Sequence, residues 1–560
     1  MPAHGHDEDA QAQAGLDEKH SLEAAQSPTT IVDGEDVDRR SIKLQRPQDD
    51  KPRTSSTNTL NLQNTVVVDW DGPDDPKNPK NWPKSRKWAA TLIVALFTFV
   101  SPVASAMIAP GSQQVADEFG ITSNVVLDMI TSIFVLGFAI GPLFMGPLSE
   151  LYGRSRVVQL GNAFFLVWNF ACGFAQNQTQ IIIFRFFAGI GGSAPLTIGG
   201  AVIGDTFHPE ERGRAIAMYA LGPMIGPAAG PVIGAWIAAR VSWRWVGRIS
   251  GFSMQSYLDI VSRNPQFWST TIFDVAVQAV GLFLLQETFA PVLLERKAQK
   301  LAQSARTDAE KGTGKVFTTI YENESRSWKY IIQTALIRPF VMFVREPILQ
   351  YLGVYMAFIY GIFYLFITTM PDIFTINYHE SIGIMGLNYL ALGLGMVFAS
   401  WFNSRTMDKI YMYFKGRNQG IGEPEYRVPT IVPASIFFPA GIFITGWAAQ
   451  AHVHWFVVDL GIFFVGASMI LAFQAIQIYI VDVFTLYAAS GIASVSCLRS
   501  FCGFGFPLFA EAMFDSLGYG KGCSILGCVA IVIGCPAPWI LWFYGRRIRS
   551  GSKFARKAVT

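Results

Sequence analysis

From residue 88 onward, long and nearly uncharged apolar runs alternate with short polar connections. The first run covers about 88–109, and five more follow at 125–145, 157–175, 181–203, 215–239 and 267–285. A second set lies at 347–370, 386–401, 430–449, 456–476, 488–513 and 524–544. Most approach the roughly 20 residues that a tilted helix needs to cross the hydrocarbon core. The run 386–401 is the shortest and predicts the shortest span. A polar stretch, 295–345, rich in Lys, Arg, Glu and Ser, separates the two sets. The pattern therefore predicts an all-α integral membrane protein with twelve transmembrane helices in two six-helix bundles, 88–294 and 346–545. A linker at 295–345 joins the bundles, and a short basic tail occupies 546–560. Residues 1–87 are polar, with acidic clusters and no long apolar run, and are expected to form a disordered cytosolic tail. They lack the basic start and apolar core of a secretory signal.

Composition strengthens this reading. Charged residues make up 15% of the chain, against about a quarter in soluble globular proteins, and the mean hydropathy is +0.31. A net charge of +3 is small for 560 residues, so bulk charge points to no nucleic-acid partner. All six cysteines fall in apolar stretches without zinc-site spacing, and they read as small apolar side chains filling space between helices. No metal, cofactor or covalent chemistry is implied, and no G-x-x-x-x-G-K-[ST] phosphate loop is present, so an enzyme or ATP-driven pump is not expected.

Orientation follows from loop charge. With the N-terminal tail inside, the inner loops carry Arg154, Arg156, Arg212, Arg214, the basic linker, Arg405, Lys409, Lys415 and Arg417, and the C-terminal tail is basic as well. Outer connections such as 110–124 and 371–385 have no Lys or Arg. Both termini are thus expected in the cytosol. One outer loop breaks the rule: 240–266 contains Arg240, Arg244, Arg248 and Arg263 and is much longer than its neighbours.

Several constellations carry mechanism. Gly146 to Arg156 (GPLSELYGRSR) closes the second span; Gly146 and Gly153 permit a tight turn, and Arg154 and Arg156 sit where anionic headgroups lie. Glu150 is a candidate helix cap or breakable ion-pair partner. The fifth span repeats Gly222-Pro223, Gly226-Pro227, Gly230-Pro231 and Gly234 every four residues. Four residues turn a helix by about 400°, so these glycines form a nearly flat strip for a second helix, and the prolines favour a hinge. Arg185 lies inside the fourth span. At roughly 2.5–3.5 kcal/mol for a mid-membrane arginine, it should face the bundle interior or a wet cavity, with proton- or substrate-coupled gating as one role and a structural cation as the other. Asp128 and Asp274 are the other intramembrane charges of this half, candidates for protonation or charge pairing, and Asp128 lies at a depth that would let it pair with Arg185. In the second half, Tyr355, Tyr360, Phe363 and Tyr364, with Gln474 and Gln477, offer aromatic and amide groups for a flat organic ligand, or ordinary helix packing. Asn177-Gln178-Thr179 matches the N-glycosylation pattern in a very short outer loop.

With these residues in view, the chain resembles the fungal drug:proton antiporter branch of the major facilitator superfamily, twelve-span type, over about 66–550. The approach Val68-Asp69-Trp70-Asp71-Gly72-Pro73-Asp74-Asp75-Pro76 through Asn81-Trp82 is similar to that branch's N-terminal hallmark. Gly146–Arg156 resembles the loop 2–3 motif, with Glu150 where many members have Asp. Arg185 with Gly189 resembles the fourth-helix motif, with Ala188 where many have Gln, and Gly222–Gly234 resembles the fifth-helix antiporter motif. Asp205, Glu211 to Ala215, Glu287 to Pro291, Glu346-Pro347, Tyr479 and Asp482 match further. The resemblance implies the major facilitator fold and alternating access. It also implies proton-driven efflux of a small, largely apolar compound, a fungal secondary metabolite, toxin or xenobiotic. Its partners would be that substrate, protons and the lipid bilayer, with the protein a monomer in the plasma membrane or, alternatively, the vacuolar membrane. Polyamine export and a non-transporting sensor of the same fold are the other readings. Two departures stand out. Asp128 occupies a position that is usually uncharged, and about 20 residues, 247–266, intervene between Trp243-Arg244-Trp245 and the sixth helix. We expect this insert to be a retained intron or gene-model artefact, with a true extracellular loop extension as the alternative. Sequencing the transcript across codons 245–268 is expected to show a message lacking the segment, whereas a uniformly continuous message would establish a genuine loop extension.

Overall fold

The computed structural model describes residues 65–240, 265–307, 316–319, 328–484 and 487–555. The first half contains α1 (Lys84–Ala106), α2 (Asn124–Tyr152), α3 (Arg154–Cys172), α4 (Gln178–Thr206), α5 (Pro209–Arg240) and α6 (Pro265–Leu284). The second contains α7 (Pro347–Asp372), α8 (Ile382–Arg417), α9 (Val432–Gln450) and α10 (Trp455–Phe484). It ends with two broken rods. Ala488–Gly505 continues past Phe506 into Pro507–Gly534, which turns at Gly518 (φ 76°). We call the arm before that turn α11, and the arm after it, with Pro536–Ser550, α12.

Ten stretches of the described residues are long and apolar enough to span a membrane by themselves. Neither α3 nor Ala488–Gly505 is among them. The first carries Arg154, Arg156, Gln159, Asn162 and Asn169, and the second is rich in small residues and holds Arg499. In α3 the polar Asn162 and Asn169 are buried against neighbouring helices while Leu160, Val167 and Phe170 face outward. The run 386–401, expected to be the shortest span, lies in the longest helix, the 36-residue α8. Its apolar run records only the hydrocarbon layer; Arg405, Asp408, Lys409, Lys415 and Arg417 carry the same helix onward beyond it.

The polar stretch expected to stay unstructured to residue 87 is ordered from Thr65. Strand β1 (Thr65–Val68) pairs in parallel with β2 (Val316–Thr319) of the linker. Lys297, on the linker helix Ala290–Thr307, donates to the Asp69 carbonyl at 2.7 Å and to Asp71 at 2.5 Å. In the turn between, Asp75 accepts the backbone N–H groups of Asp71 and Lys77, and these hold its carboxyl below the ordinary range. Residues 1–64 and 241–264, with Trp243-Arg244-Trp245, Arg248, Arg263 and nearly all of the insert 247–266, lie outside the described residues, whereas Arg240 ends α5.

Helix approach depends on glycine. A Cβ on Gly222 would stand 2.8 Å from the Ala95 carbonyl oxygen, and one on Gly230 2.5 Å from that of Val103. The four-residue strip of α5 therefore seats against α1, and α5 runs as one helix through Pro223, Pro227 and Pro231. A second small-residue face of α5 meets the other half: Ala228 lies under Gly393, Ala235 under Gly386 and Ala239 under Gly383 of α8. Gly230→Ala is expected to destabilise the protein by about 1–3 kcal/mol through overpacking, read as a lowered melting temperature of the purified protein. Gly200→Ala, which meets nothing within 4 Å, should leave melting unchanged.

Candidate functional site

Arg185 is 1% exposed. Its Nε donates to the Ile130 carbonyl at 2.6 Å, and its Nη groups donate to the carbonyls of Ala104 (3.4 Å), Ser105 (2.8 Å) and Thr131 (3.3 Å). Ala104 and Ser105 are in the last turn of α1, where carbonyls lack intrahelical partners and the helix dipole favours a cation. One guanidinium thus ties α4 to the end of α1 and to α2. The Phe134 and Phe267 rings flank it at 5.3 and 5.8 Å. The expected pairing with Asp128 is not what forms. Asp128 instead faces Thr368 and lies near Asp372 and Glu511, on α7 and α11.

Asp274 of α6 is fully buried, and Asn162 of α3 donates to both its oxygens at 3.0 and 3.1 Å. The same amide reaches Gln278 at 2.9 Å. No ion pair reaches Asp274 among the described residues.

At the face where the chain's described ends lie, each half gathers its own charges. In the first, Arg154 donates to Ser149 Oγ at 2.6 Å, faces Asp205 at 3.5 Å and covers the Phe289 ring. Glu287 accepts the backbone N–H groups of Arg154 (2.8 Å), Thr288 (3.1 Å) and Phe289 (3.0 Å). The capping role considered for Glu150 therefore belongs to Glu287 at the start of α3, while Glu150 and Arg156 are exposed. Gly153 has φ 103°, and a Cβ there would strike the Glu287 carboxylate. Gly146 has open space beside it: a Cβ there would meet only the Thr197 methyl group, at 3.9 Å. In the second half, Arg427 bridges Asp408 (2.8 Å) and Asp482 (3.3 Å). Arg549 engages Glu425 through two bonds, at 3.2 and 3.1 Å, and also Glu423. Asp205 and Asp482 end the fourth helix of their respective halves, so the two clusters occupy corresponding places.

Between the halves, the candidate aromatics separate into different roles. Tyr364 shares a hydrogen bond with Ser105 of α1 at 3.1 Å, and Tyr360 stacks near Phe363 and Tyr364. Tyr355 is buried against Gly534 of α12. Gln474 accepts from Asn403 at 2.9 Å and donates to Ser400 at 3.2 Å, both on α8, so it joins two helices. Gln477 does line a cavity, with Met356, Phe473, Ile492, Ser496 and Arg499 among its neighbours. Arg499 escaped the sequence reading; the signal was a single cation in the run 488–513. Asn177, the glycosylation candidate, caps α4 by accepting from the Gln180 N–H at 2.9 Å. Among the described residues no group of His, Cys, Asp and Glu is arranged to hold a metal ion.

The Major Facilitator Superfamily profile matches residues 94–507. The chain is 44% identical over 489 residues to the efflux pump vrtL of Penicillium aethiopicum, covering 87% of this chain and 91% of that protein. It is 40% identical over 488 residues to the MFS-type transporter penM of Penicillium rubens, covering 87% and 90%. Among solved structures, the partially occluded inward-open xylose transporter XylE from E. coli matches with a TM-score of 0.57 at 16% identity, over 82% of this chain and 98% of that one. At that identity the likeness is one of fold.

Gly153→Ala is expected to destabilise the loop before α3, since it adds backbone strain of about 1–3 kcal/mol to a clash with Glu287; thermal melting measures it. Arg185→Lys should melt well below the native protein, because an ammonium has no planar fork to reach carbonyls on two helices together.

Proposed function

The chain belongs to the Major Facilitator Superfamily, and from that premise we propose that it exports small, largely apolar organic compounds in exchange for protons. A fungal secondary metabolite or toxin, or a xenobiotic, is the substrate class we favour. It is a multi-pass membrane protein, and we place both termini in the cytosol from its loop charges. The observation that carries the reading is where the halves meet. Ser105 to Tyr364, Asn124 to Glu511, and Ala239, Ala235 and Ala228 against α8 all lie away from the face of the termini. The charge clusters at that face each stay within one half. With the termini cytosolic, this arrangement is closed outside and suited to admit substrate from within, one pole of an alternating-access cycle.

The kinship with a named efflux pump supports export over uptake. The cavity at Gln477 is lined by aromatic and aliphatic groups and one arginine, with no carboxylate. That lining favours an apolar organic compound over a polyamine, whose cationic groups need acceptors. Asp274, buried with an amide partner and no cation, is where we place the exchanged proton, with Asp128 as the alternative. One proton crossing 100 mV supplies about 2.3 kcal/mol, or roughly fifty-fold accumulation.

Sealed, acidified vesicles carrying the protein should release protons when one group among apolar toxins, azoles and polyamines is added. Arg185→Ala should abolish the release. Asp274→Asn, which keeps an acceptor toward Asn162 but cannot ionise, should retain substrate exchange and lose proton release. Binding without any release by the native protein would overturn antiport and favour a sensor.

A further inference from the structure

Arg499 stands eleven residues past the start of α11 at Ala488, about 17 Å along the helix, near the middle of the hydrocarbon layer. Arg185, Arg427 and Arg549 each have oxygen acceptors. Arg499 has rings instead: its guanidinium lies 4.7 Å from the centre of Tyr360 and 4.9 Å from that of Phe473. Its Nε is buried without a hydrogen-bond partner, and no carboxylate pairs with it among the described residues. A cation held at this depth by two aromatic faces keeps its in-plane donors for something else.

The surroundings say what that is. Arg499 borders a small cavity of about 10 Å³, walled by Met356, Ile480 and Ile492, with Gln477 and Ser496 as its other polar groups. A space of that size holds a group about as large as one water molecule, so it takes only the charged tip of a larger molecule. Gly503, one turn beyond Arg499, meets both Tyr360 and Val135 of α2, so this face of α11 looks toward the other half. We propose that Arg499 is the anchor of an anion subsite. It receives a carboxylate, or an ionised phenol or enol, carried on a flat apolar skeleton that extends past Met356 and Ile492. A carboxylate meets the guanidinium fork in two parallel hydrogen bonds, which a neutral ester cannot reproduce. The subsite deepens the export reading by naming an acidic aromatic substrate, and it rests on that reading for its role in transport.

The test is binding to the purified full chain in detergent, with 9-anthracenecarboxylate and its methyl ester as matched flat probes followed by their fluorescence. The native protein should bind the acid at least tenfold more tightly than the ester. Arg499→Gln should bring the acid down to the level of the ester, and Arg499→Lys should keep part of the preference. Should Arg499→Gln fail to fold, Ser496→Asp sets a carboxylate one turn from Arg499 and should weaken acid binding tenfold while leaving the ester unchanged. Equal binding of the two probes, no acid binding, or a full acid preference in the folded Arg499→Gln or Ser496→Asp protein would overturn the subsite. The assay needs no gradient, so acid preference in a protein that moves nothing across vesicles would overturn export and leave the subsite standing.

Discussion

A guanidinium enclosed by apolar helices must find its acceptors inside the protein, because the surrounding lipid has none. Arg185 meets that demand with backbone carbonyls, two of them at the end of α1 where the helix leaves its own acceptors unused. Those contacts fix α1, α2 and α4 together near the face away from the termini. Two of these helices, α1 and α2, bring Ser105 to Tyr364 and Val135 to Gly503, so the contact between halves is built on the frame that Arg185 holds. Removing this cation would leave the end carbonyls of α1 without this donor as well as deleting a charge.

Lipid tails are as apolar as leucine side chains, so close packing rather than the hydrophobic effect decides which helices touch. Helix α5 shows this twice. Its glycines seat against carbonyls of α1 within one half, while its alanines lie against glycines of α8 in the other. The first contact buries backbone against backbone at short range and suits a permanent joint. The second is a shallow contact of methyl groups on glycine, which two halves can make and break without leaving large cavities.

Polar groups follow a parallel division. Asn162 donates to Asp274 and Gln278 between α3 and α6, and Arg549 pairs with Glu423 and Glu425 at the end of α12. Each network is internal to one half, so the halves behave as separate polar units joined by few hydrogen bonds. Arg499 departs from this pattern, since its partners are the faces of Tyr360 and Phe473.

The apolar runs by themselves determined the number, order and six-plus-six grouping of the spans, because about 30 Å of hydrocarbon imposes a length and a polarity on any helix crossing it. The glycine repeat of α5 was legible for a similar reason: a four-residue period has one geometric meaning on a helix. The run 386–401 was misleading about length, since it measures the lipid layer while α8 continues on polar residues. Only the tertiary structure decided partners. Glu287 rather than Glu150 caps α3, Arg185 takes carbonyls rather than Asp128, Gln474 joins helices while Gln477 lines the cavity, and β1 finds β2 across more than two hundred residues. Each of these choices depends on the direction a side chain or strand takes toward a distant segment. Composition and period describe one element at a time, and that direction exists only once two elements have met.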